Sequence, residues 1–544
     1  MHLIQSLSQA LVSGVAVASP ALQAAIVQTQ SGQVQGIESE YNPSITVYKG
    51  IPFAASTAGQ KRWTAAKPPA PWSGVKVADT VGPECAQGRG RPFGKQLLAD
   101  TSSEDCLNLN IWTPKNAISR NLPVYVWIFG GRFMGGSASS PSFDGAGLAA
   151  KDVVVVAINY RLGVLGFLAH PELTAESGHN SSGNYGLLDQ IVALTWVKNN
   201  IAAFGGNPKQ VTIGGQSAGA SSVYQLVNSP LAAGLISGAI IQSGVRHPGD
   251  PQISGLATSY RTLSTAEAQG VNYSLQLNAP NIAAMRALDL VKLVANSGVN
   301  DNVFGGPPLF RPVLEGYVIP RTYHETLESG PANDVPILTG NNKDESGGPN
   351  NRVTVAQYTP KNQLYYGDFS DRYFQLYPGR NQTQAEESTT AAGRDASGVG
   401  TWRWQGLWSK AAKSPVYTYH WDHAPPAKQG RYDTVYAIGN LITNSGPMKG
   451  AYHGSEISYT FNNLYAQNSA WTDQDRAIAT KMSDYWSNFI KTGNPNGGGL
   501  TTWAKTSQDP ATTMRLGNAF GPMQLASPER TRFHTEFFAH QKQW

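Results

Sequence analysis

Val211-Thr212-Ile213-Gly214-Gly215-Gln216-Ser217-Ala218-Gly219-Ala220 is a β-branched run that ends in glycines and passes into small residues. That order predicts a strand, a sharp turn and a helix, with a G-x-S-x-G pentapeptide at the turn. Ser217 then sits in a strained bend with its hydroxyl exposed, because Gly215 and Gly219 carry no Cβ to block close packing around it. In a chain with 57 glycines the bare pentapeptide also arises by chance, so its surroundings must carry the argument.

Working outward, the flanking segments alternate between strand and helix signals, the signature of a parallel sheet with crossover helices. Val124 to Phe129 and Asp152 to Ile158 are nearly all apolar, as expected of strands buried on both faces. Gly186 to Asn200 places Leu187, Ile191, Leu194 and Val197 at helical spacing and predicts the crossover into the strand before Ser217. Gly238–Ser243, Pro336–Gly340 and Val416–Tyr419 read as further strands, with long mixed segments between them forming helices over the sheet edge. Gln33 to Gly50 reads as an antiparallel hairpin or meander. A last helix is predicted from Thr472, which stands three before Asp475 as in a capping box, burying Ile478, Met482, Trp486 and Phe489 and stopping at Gly493-Asn494-Pro495. The fold class is α/β, a large, mostly parallel mixed sheet with helices on both faces.

The 544 residues contain no long low-complexity tract, no block of like charges and no internal repeat, so one domain is expected over residues 25–544. Charged residues make up 14% of the chain, well under the usual quarter, which predicts a polar but weakly charged surface. A net charge of +5 over this length argues against a nucleic-acid partner. Arg89-Gly90-Arg91-Pro92 looks like a minor-groove hook, yet it lies between the two cysteines of a chain that reads as exported, and is expected to be a solvated loop.

Residues 1–24 explain that reading. From His2 to Ala24 the chain is apolar and small-residue-rich without a single Asp, Glu, Lys or Arg, which resembles a secretory signal cleaved after Ala18 or Ala24. The expected location is extracellular. No later apolar run is long enough to cross a bilayer, so stable membrane insertion is not expected. Cys85 and Cys106, the only cysteines, are expected to pair in an oxidising compartment, where closing their loop contributes on the order of 3 kcal/mol. Asn180, Asn272 and Asn381 head Asn-x-Ser/Thr sequons, which accept glycans if the chain passes through a eukaryotic secretory pathway.

A serine hydroxyl is a weak nucleophile, so Ser217 needs a base, and the base needs an acid to orient it. Behind a G-x-S-x-G elbow these follow in the order acid, then histidine. Gly340-Asn341-Asn342-Lys343-Asp344-Glu345 offers an acid after a strand, and Tyr452-His453-Gly454-Ser455-Glu456 a histidine at a turn. From the residues alone Asp344 and Glu345 are equally good, and nine other histidines compete with His453.

Phe204 to Gly219 resembles the serine-site signature of the type-B carboxylesterases, the family of cholinesterases and the large fungal lipases within the α/β-hydrolase superfamily. Glu104-Asp105-Cys106-Leu107-Asn108-Leu109-Asn110 is similar to the family's second signature, with Asn108 departing mildly from it. Asn159–Gly163, Asn184–Gln190 and Thr492–Asn496 also match, so the resemblance spans about residues 33–496 and is closest in character to secreted fungal members.

The resemblance implies a serine carboxylic-ester hydrolase that works through an acyl-enzyme, with Ser217 as nucleophile, Glu345 as acid, His453 as general base and acid, and Asp344 a structural neighbour. It implies an oxyanion hole from the N–H groups of Gly131, Arg132 and Ala218, and sets Ser243 and Gly244 beside Glu345. It also implies ion pairs Arg62–Glu104 and Arg161–Asp189.

Two positions depart from the family pattern. Phe129-Gly130-Gly131-Arg132 has arginine where a third glycine is usual, which keeps a backbone donor but requires a place for a guanidinium. Gln216 stands where glutamate is usual, which removes a charge and predicts little attraction for cationic alcohols. The expected substrates are therefore small neutral esters, with no cofactor and no metal site, since neither H-E-x-x-H nor a cysteine cluster is present. Trp127 and Phe133 are expected in the core or the pocket wall. The competing readings are a lipase or sterol esterase acting on lipid aggregates, with Pro92-Phe93 and Leu97-Leu98 as a modest apolar face, and a non-catalytic cholinesterase-like binding domain.

Overall fold

The computed structural model describes residues 26–87, 101–256, 258–295, 297–345, 353–427 and 449–544. The expected signal segment, the Arg89–Pro92 string and the apolar pairs Pro92-Phe93 and Leu97-Leu98 lie outside the described residues.

One sheet of 11 strands forms the centre. In chain order these are β1 (Ile37–Glu38), β2 (Ile45–Pro52), β3 (Asn108–Pro114), β4 (Leu122–Ile128), β5 (Val154–Ile158), β6 (Gly206–Gln216), β7 (Gly238–Gln242), β8 (Ile337–Asn342), β9 (Val416–Trp421), β10 (Thr513–Leu516) and β11 (Gly521–Met523). Across the sheet the order is β11-β10-β9-β8-β7-β6-β4-β5-β3-β2-β1. Neighbours from β10 inward to β5 run parallel. The margins run antiparallel. The near-continuous apolar runs explain the centre: every residue of β5 and β7 is buried, which needs cover on both faces.

Helices supply that cover. α1 (Tyr185–Asn200) is the predicted crossover between β5 and β6, and α2 (Ala218–Asn228) follows β6 with every residue buried. Further along come α3 (Gln382–Ala411), α4 (Asp473–Thr492) and α5 (Pro528–His540). The predicted start of α4 is a reciprocal capping box between Thr472 and Asp475, and its stop is Gly493 in the left-handed region at φ 70°. Its buried stripe includes Ile478, Met482, Trp486 and Phe489, and the Trp486 indole reaches the Gln242 side chain at the end of β7.

The amino-terminal meander differs from expectation. Ile37 pairs with Val47 in the main sheet, but Gln33–Gln35 joins Ile26–Gln28 and Val75–Val77 in a separate three-stranded sheet. The break falls at Gly36, where a Cβ would come 2.8 Å from the Val47 carbonyl oxygen, so the chain can pass there only as glycine.

Register decides what the fold does. Gly215 pairs with Ile128, Gln216 with Gln242, and Gln242 with Gly340, so the parallel strands finish together. The residues that follow each strand, Gly130 to Arg132, Ser217, Ser243 and Glu345, therefore emerge along one edge, where ligands of parallel sheets bind. Cys85 and Cys106 are joined as a disulfide, and the Arg62–Glu104 pair, at 2.6 Å, holds the segment just before Cys106.

Candidate active site

Ser217 takes φ 59° and ψ −122°, a strained bend between β6 and α2. Its N–H donates to the Gln242 carbonyl at 3.0 Å, which ties the bend to β7. A Cβ on Gly219 would sit 2.0 Å from the Ile128 carbonyl oxygen, and one on Gly215 would sit 2.4 Å from the Gly219 carbonyl carbon. Strand and helix thus pack backbone against backbone, and that is why both positions are glycine.

The loop after β4 lies directly on this bend. A Cβ on Gly130 would come 2.4 Å from the Gln216 carbonyl oxygen and 3.1 Å from Ser217 Cβ. Arg132 and Phe133 follow in the left-handed region, at φ 58° and 60°, which turns the chain back over the elbow. Phe133 anchors the turn in the core against Phe167, with ring centroids 4.9 Å apart. Among the described residues, the N–H groups of Gly131, Arg132 and Ala218 donate to no protein acceptor. The guanidinium of Arg132 finds its place by donating to the Gly306 carbonyl at 3.0 Å.

Glu345 and His453, 108 residues apart in sequence, meet at 2.5 Å between Oε2 and Nδ1. The other oxygen of Glu345 accepts from Ser243 Oγ at 2.7 Å and from the Asn342 N–H at 2.9 Å. Burial alone would raise the Glu345 carboxyl, but His453 and these donors hold it down at about 2. Burial alone would depress His453, but the adjoining Glu345 carboxylate, with Glu456 behind it, keeps the imidazole above its ordinary value. With the Nδ1 proton directed at Glu345, Nε2 presents its lone pair, and the Gln216 side-chain nitrogen lies 3.0 Å from it.

Asp344, the sequence rival, faces the other way. It pairs with Arg394 and accepts the Ala451 N–H at 2.9 Å, pinning the loop that carries His453. Gly244 lies against Ala220 rather than sharing Ser243's bond to the acid. Other histidines are used elsewhere: His423 binds Asp475 at 2.8 Å, His534 meets the Tyr377 hydroxyl at 3.0 Å, and His170 caps a short helix. The sequence reading missed the support beneath the site. Glu456, fully buried, accepts from Gln242 at 3.0 Å and Asn342 at 2.5 Å, and burial raises its carboxyl. Its place three residues after His453 is the one signal in sequence.

A model of the carboxylesterase family matches residues 23–533. The chain belongs to the carboxylesterase family. Fumonisin B1 esterase from Sphingopyxis macrogoltabida is 35% identical over 88% of this chain and 84% of its own. Para-nitrobenzyl esterase from Bacillus subtilis (strain 168) is 32% identical over 87% and 90%. In structure, a PNB esterase superposes with a TM-score of 0.73 at 28% identity, covering 94% of this chain and 99% of that one.

This carboxylesterase thus has the α/β-hydrolase fold and is a carboxylic-ester hydrolase, the fold class and activity that the resemblance implied. Both ion pairs implied by the resemblance form: Arg62–Glu104, and Arg161–Asp189 at 2.7 Å with both groups buried. Trp127 and Phe133 are core residues. Asn180, Asn272 and Asn381 are all exposed, and Asn381 caps α3 through its side chain. Among the described residues no helix is long and apolar enough to cross a membrane.

Proposed function

We propose that this carboxylesterase cleaves small esters through an acyl-enzyme on Ser217, with His453 moving the proton and Glu345 orienting His453. The observation that carries the reading is the convergence of a strained Ser217 elbow and the Glu345–His453 pair at the ends of adjacent parallel strands. His453 Nε2 takes the Ser217 proton as Oγ attacks the carbonyl carbon, and returns it to the leaving alkoxide. Water then gives a proton to Nε2 as its oxygen adds to the acyl carbon, and Nε2 returns that proton to Oγ as the Oγ–acyl bond breaks and the acid leaves. Glu345 stabilises the imidazolium formed in each half, and does so as a carboxylate because its proton affinity is held so low.

The N–H groups of Gly131, Arg132 and Ala218 receive the developing oxyanion. Three observations support this: the Gly130 loop touches the elbow, the three donors lack protein partners among the described residues, and Ala218 opens a helix of 11 residues whose dipole favours negative charge. The relatives named for fumonisin B1 and for para-nitrobenzyl esters support ester rather than amide bonds as the target. Gln216 places a neutral amide beside the nucleophile, so cationic alcohols gain no fixed counter-charge there. Export is part of the proposal, supported by the Cys85–Cys106 disulfide, a bond that persists in oxidising compartments.

Replacing Ser217 by Ala tests the mechanism. Turnover of a soluble aryl ester is expected to fall by at least about a thousandfold, and an organophosphate is expected to label Ser217 in the unaltered protein. Full activity in Ser217→Ala rules the mechanism out.

A further inference from the structure

Three guanidinium groups, those of Arg132, Arg261 and Arg311, lie near the loop that covers Ser217, and among the described residues one carboxylate serves them. Arg311 donates to Asp301 at 2.8 Å, and the other oxygen of Asp301 accepts from Gln269 at 3.0 Å. Arg261 donates to the carbonyls of Phe167 and Arg311, at 2.6 and 3.1 Å, and to the Gln269 side chain. Among the described residues the Arg132 side chain makes a single bond, from Nη2 to the Gly306 carbonyl. Among the described residues, no carboxylate forms an ion pair with Arg132 or with the buried Arg261, whereas the buried Arg62, Arg161 and Arg246 each have one.

The excess is not relieved by solvent. Arg261 and Arg311 are 2% and 3% exposed, and the Nε atoms of both are buried without a partner among the described residues. Burial, with the neighbouring Arg311 charge, lowers the proton affinity of Arg132 and brings Arg261 down to about 9. A charge taken out of water without a counter-ion is unfavourable, and an anion arriving from solution relieves it.

Arg132 is the member of this group that a substrate can reach. It is only partly buried, and it stands two positions on from Gly130, at most about 7 Å of chain from the residue that touches the elbow. The bond to Gly306 fixes the guanidinium, and among the described residues most of its N–H donors have no partner, which suits the paired oxygens of a carboxylate. Gln216 stands where the family usually keeps an acid beside the nucleophile, which removes one charge that would repel an anion.

We propose that Arg132 binds a free carboxylate carried by the ester substrate, so that the preferred substrates are monoesters of dicarboxylic acids and similar carboxylate-bearing esters. This rests on the ester-hydrolase reading of Ser217 and replaces the expectation of neutral esters with one of anionic esters. Arg132 is then a specificity-determining residue through its side chain as well as an oxyanion donor through its backbone.

The test compares monoethyl glutarate with ethyl 4-carbamoylbutanoate, the same ester with the carboxylate replaced by a neutral carboxamide, following proton release at constant pH. The unaltered protein is expected to favour the anionic ester in kcat/KM by on the order of tenfold, about 1.4 kcal/mol, and to lose that preference as salt is added. Arg132→Gln is expected to bring the ratio of the two kcat/KM values close to one, and Arg132→Lys to retain part of it. A purely structural Arg132 lowers both substrates together, so an unchanged ratio in Arg132→Gln overturns the proposal. A ratio at or below one in the unaltered protein overturns it too, and that arm stands even if the variants fail to fold. Hydrolysis of the carboxamide ester without preference leaves the ester-hydrolase reading intact, whereas hydrolysis of neither ester, with Ser217 unlabelled by an organophosphate, removes both.

Discussion

Gly219→Ala is the smallest change that separates the packing of the elbow from its chemistry. The added Cβ would stand 2.0 Å from the Ile128 carbonyl oxygen and 2.9 Å from the carbonyl carbons of Ile128 and Phe129. Ordinary contact is about 3.5 Å, so either the start of α2 or the end of β4 must retreat by roughly 1.5 Å. Neither is free to do so: β4 is held between β5 and β6, and α2 is buried along its whole length. Overpacking of this kind costs about 1–3 kcal/mol, more than the roughly 1 kcal/mol of helix propensity that alanine returns. A displacement of about 1 Å in Ser217 and the Ala218 N–H costs a further 100-fold in turnover. Thermal unfolding and kcat on an aryl acetate measure the two effects. The matched control is Gly393→Ala, exposed in the interior of α3 with nothing within 4 Å of its added Cβ, which is expected to stabilise by about 0.5–1 kcal/mol at unchanged kcat. If Gly219→Ala matches the unaltered protein in both melting temperature and kcat, the close packing of the elbow does not position the nucleophile.

Two further substitutions probe the proton path. Gln216→Glu places a second carboxylate next to His453 Nε2, so the imidazole is held charged to higher pH; the acid limb of kcat/KM, expected above pH 6.5 already, moves further up, and a trimethylammonium ester gains on its neutral analogue. An unmoved limb in the pH profile contradicts the contact. Glu345→Gln removes the carboxylate that keeps His453 up, so the limb moves down while kcat falls by about a thousandfold or more. It also alters stability: the depressed Glu345 contributes above its ordinary 4.5, and that contribution is lost as pH falls toward about 2. The variant is expected to be less stable at neutral pH and less sensitive to acid across that window, as followed by urea unfolding at several pH values.

Local pattern made much of this chain legible. The β-branched run into Gly214-Gly215-Gln216-Ser217 specifies strand and turn because each depends on residues next to one another, and the same holds for the Thr472–Asp475 cap and the stripe that α4 buries. Asp344 and Glu345, by contrast, are neighbours of the same charge, and nothing in their own segment separates them. They part because Arg394 and the Ala451 N–H take Asp344, while His453 approaches Glu345 from a segment more than a hundred residues away. Resemblance to the family chose the pair; the residues alone did not. Arg132 shows the same division. Its substitution for glycine is visible in sequence, but the surplus of positive charge around it exists only once Arg261, Arg311 and Asp301 are folded together. Strand, turn and cap are set by forces that act within a few residues, whereas the partner of a charged side chain is set by which strand ends and loops the sheet brings side by side.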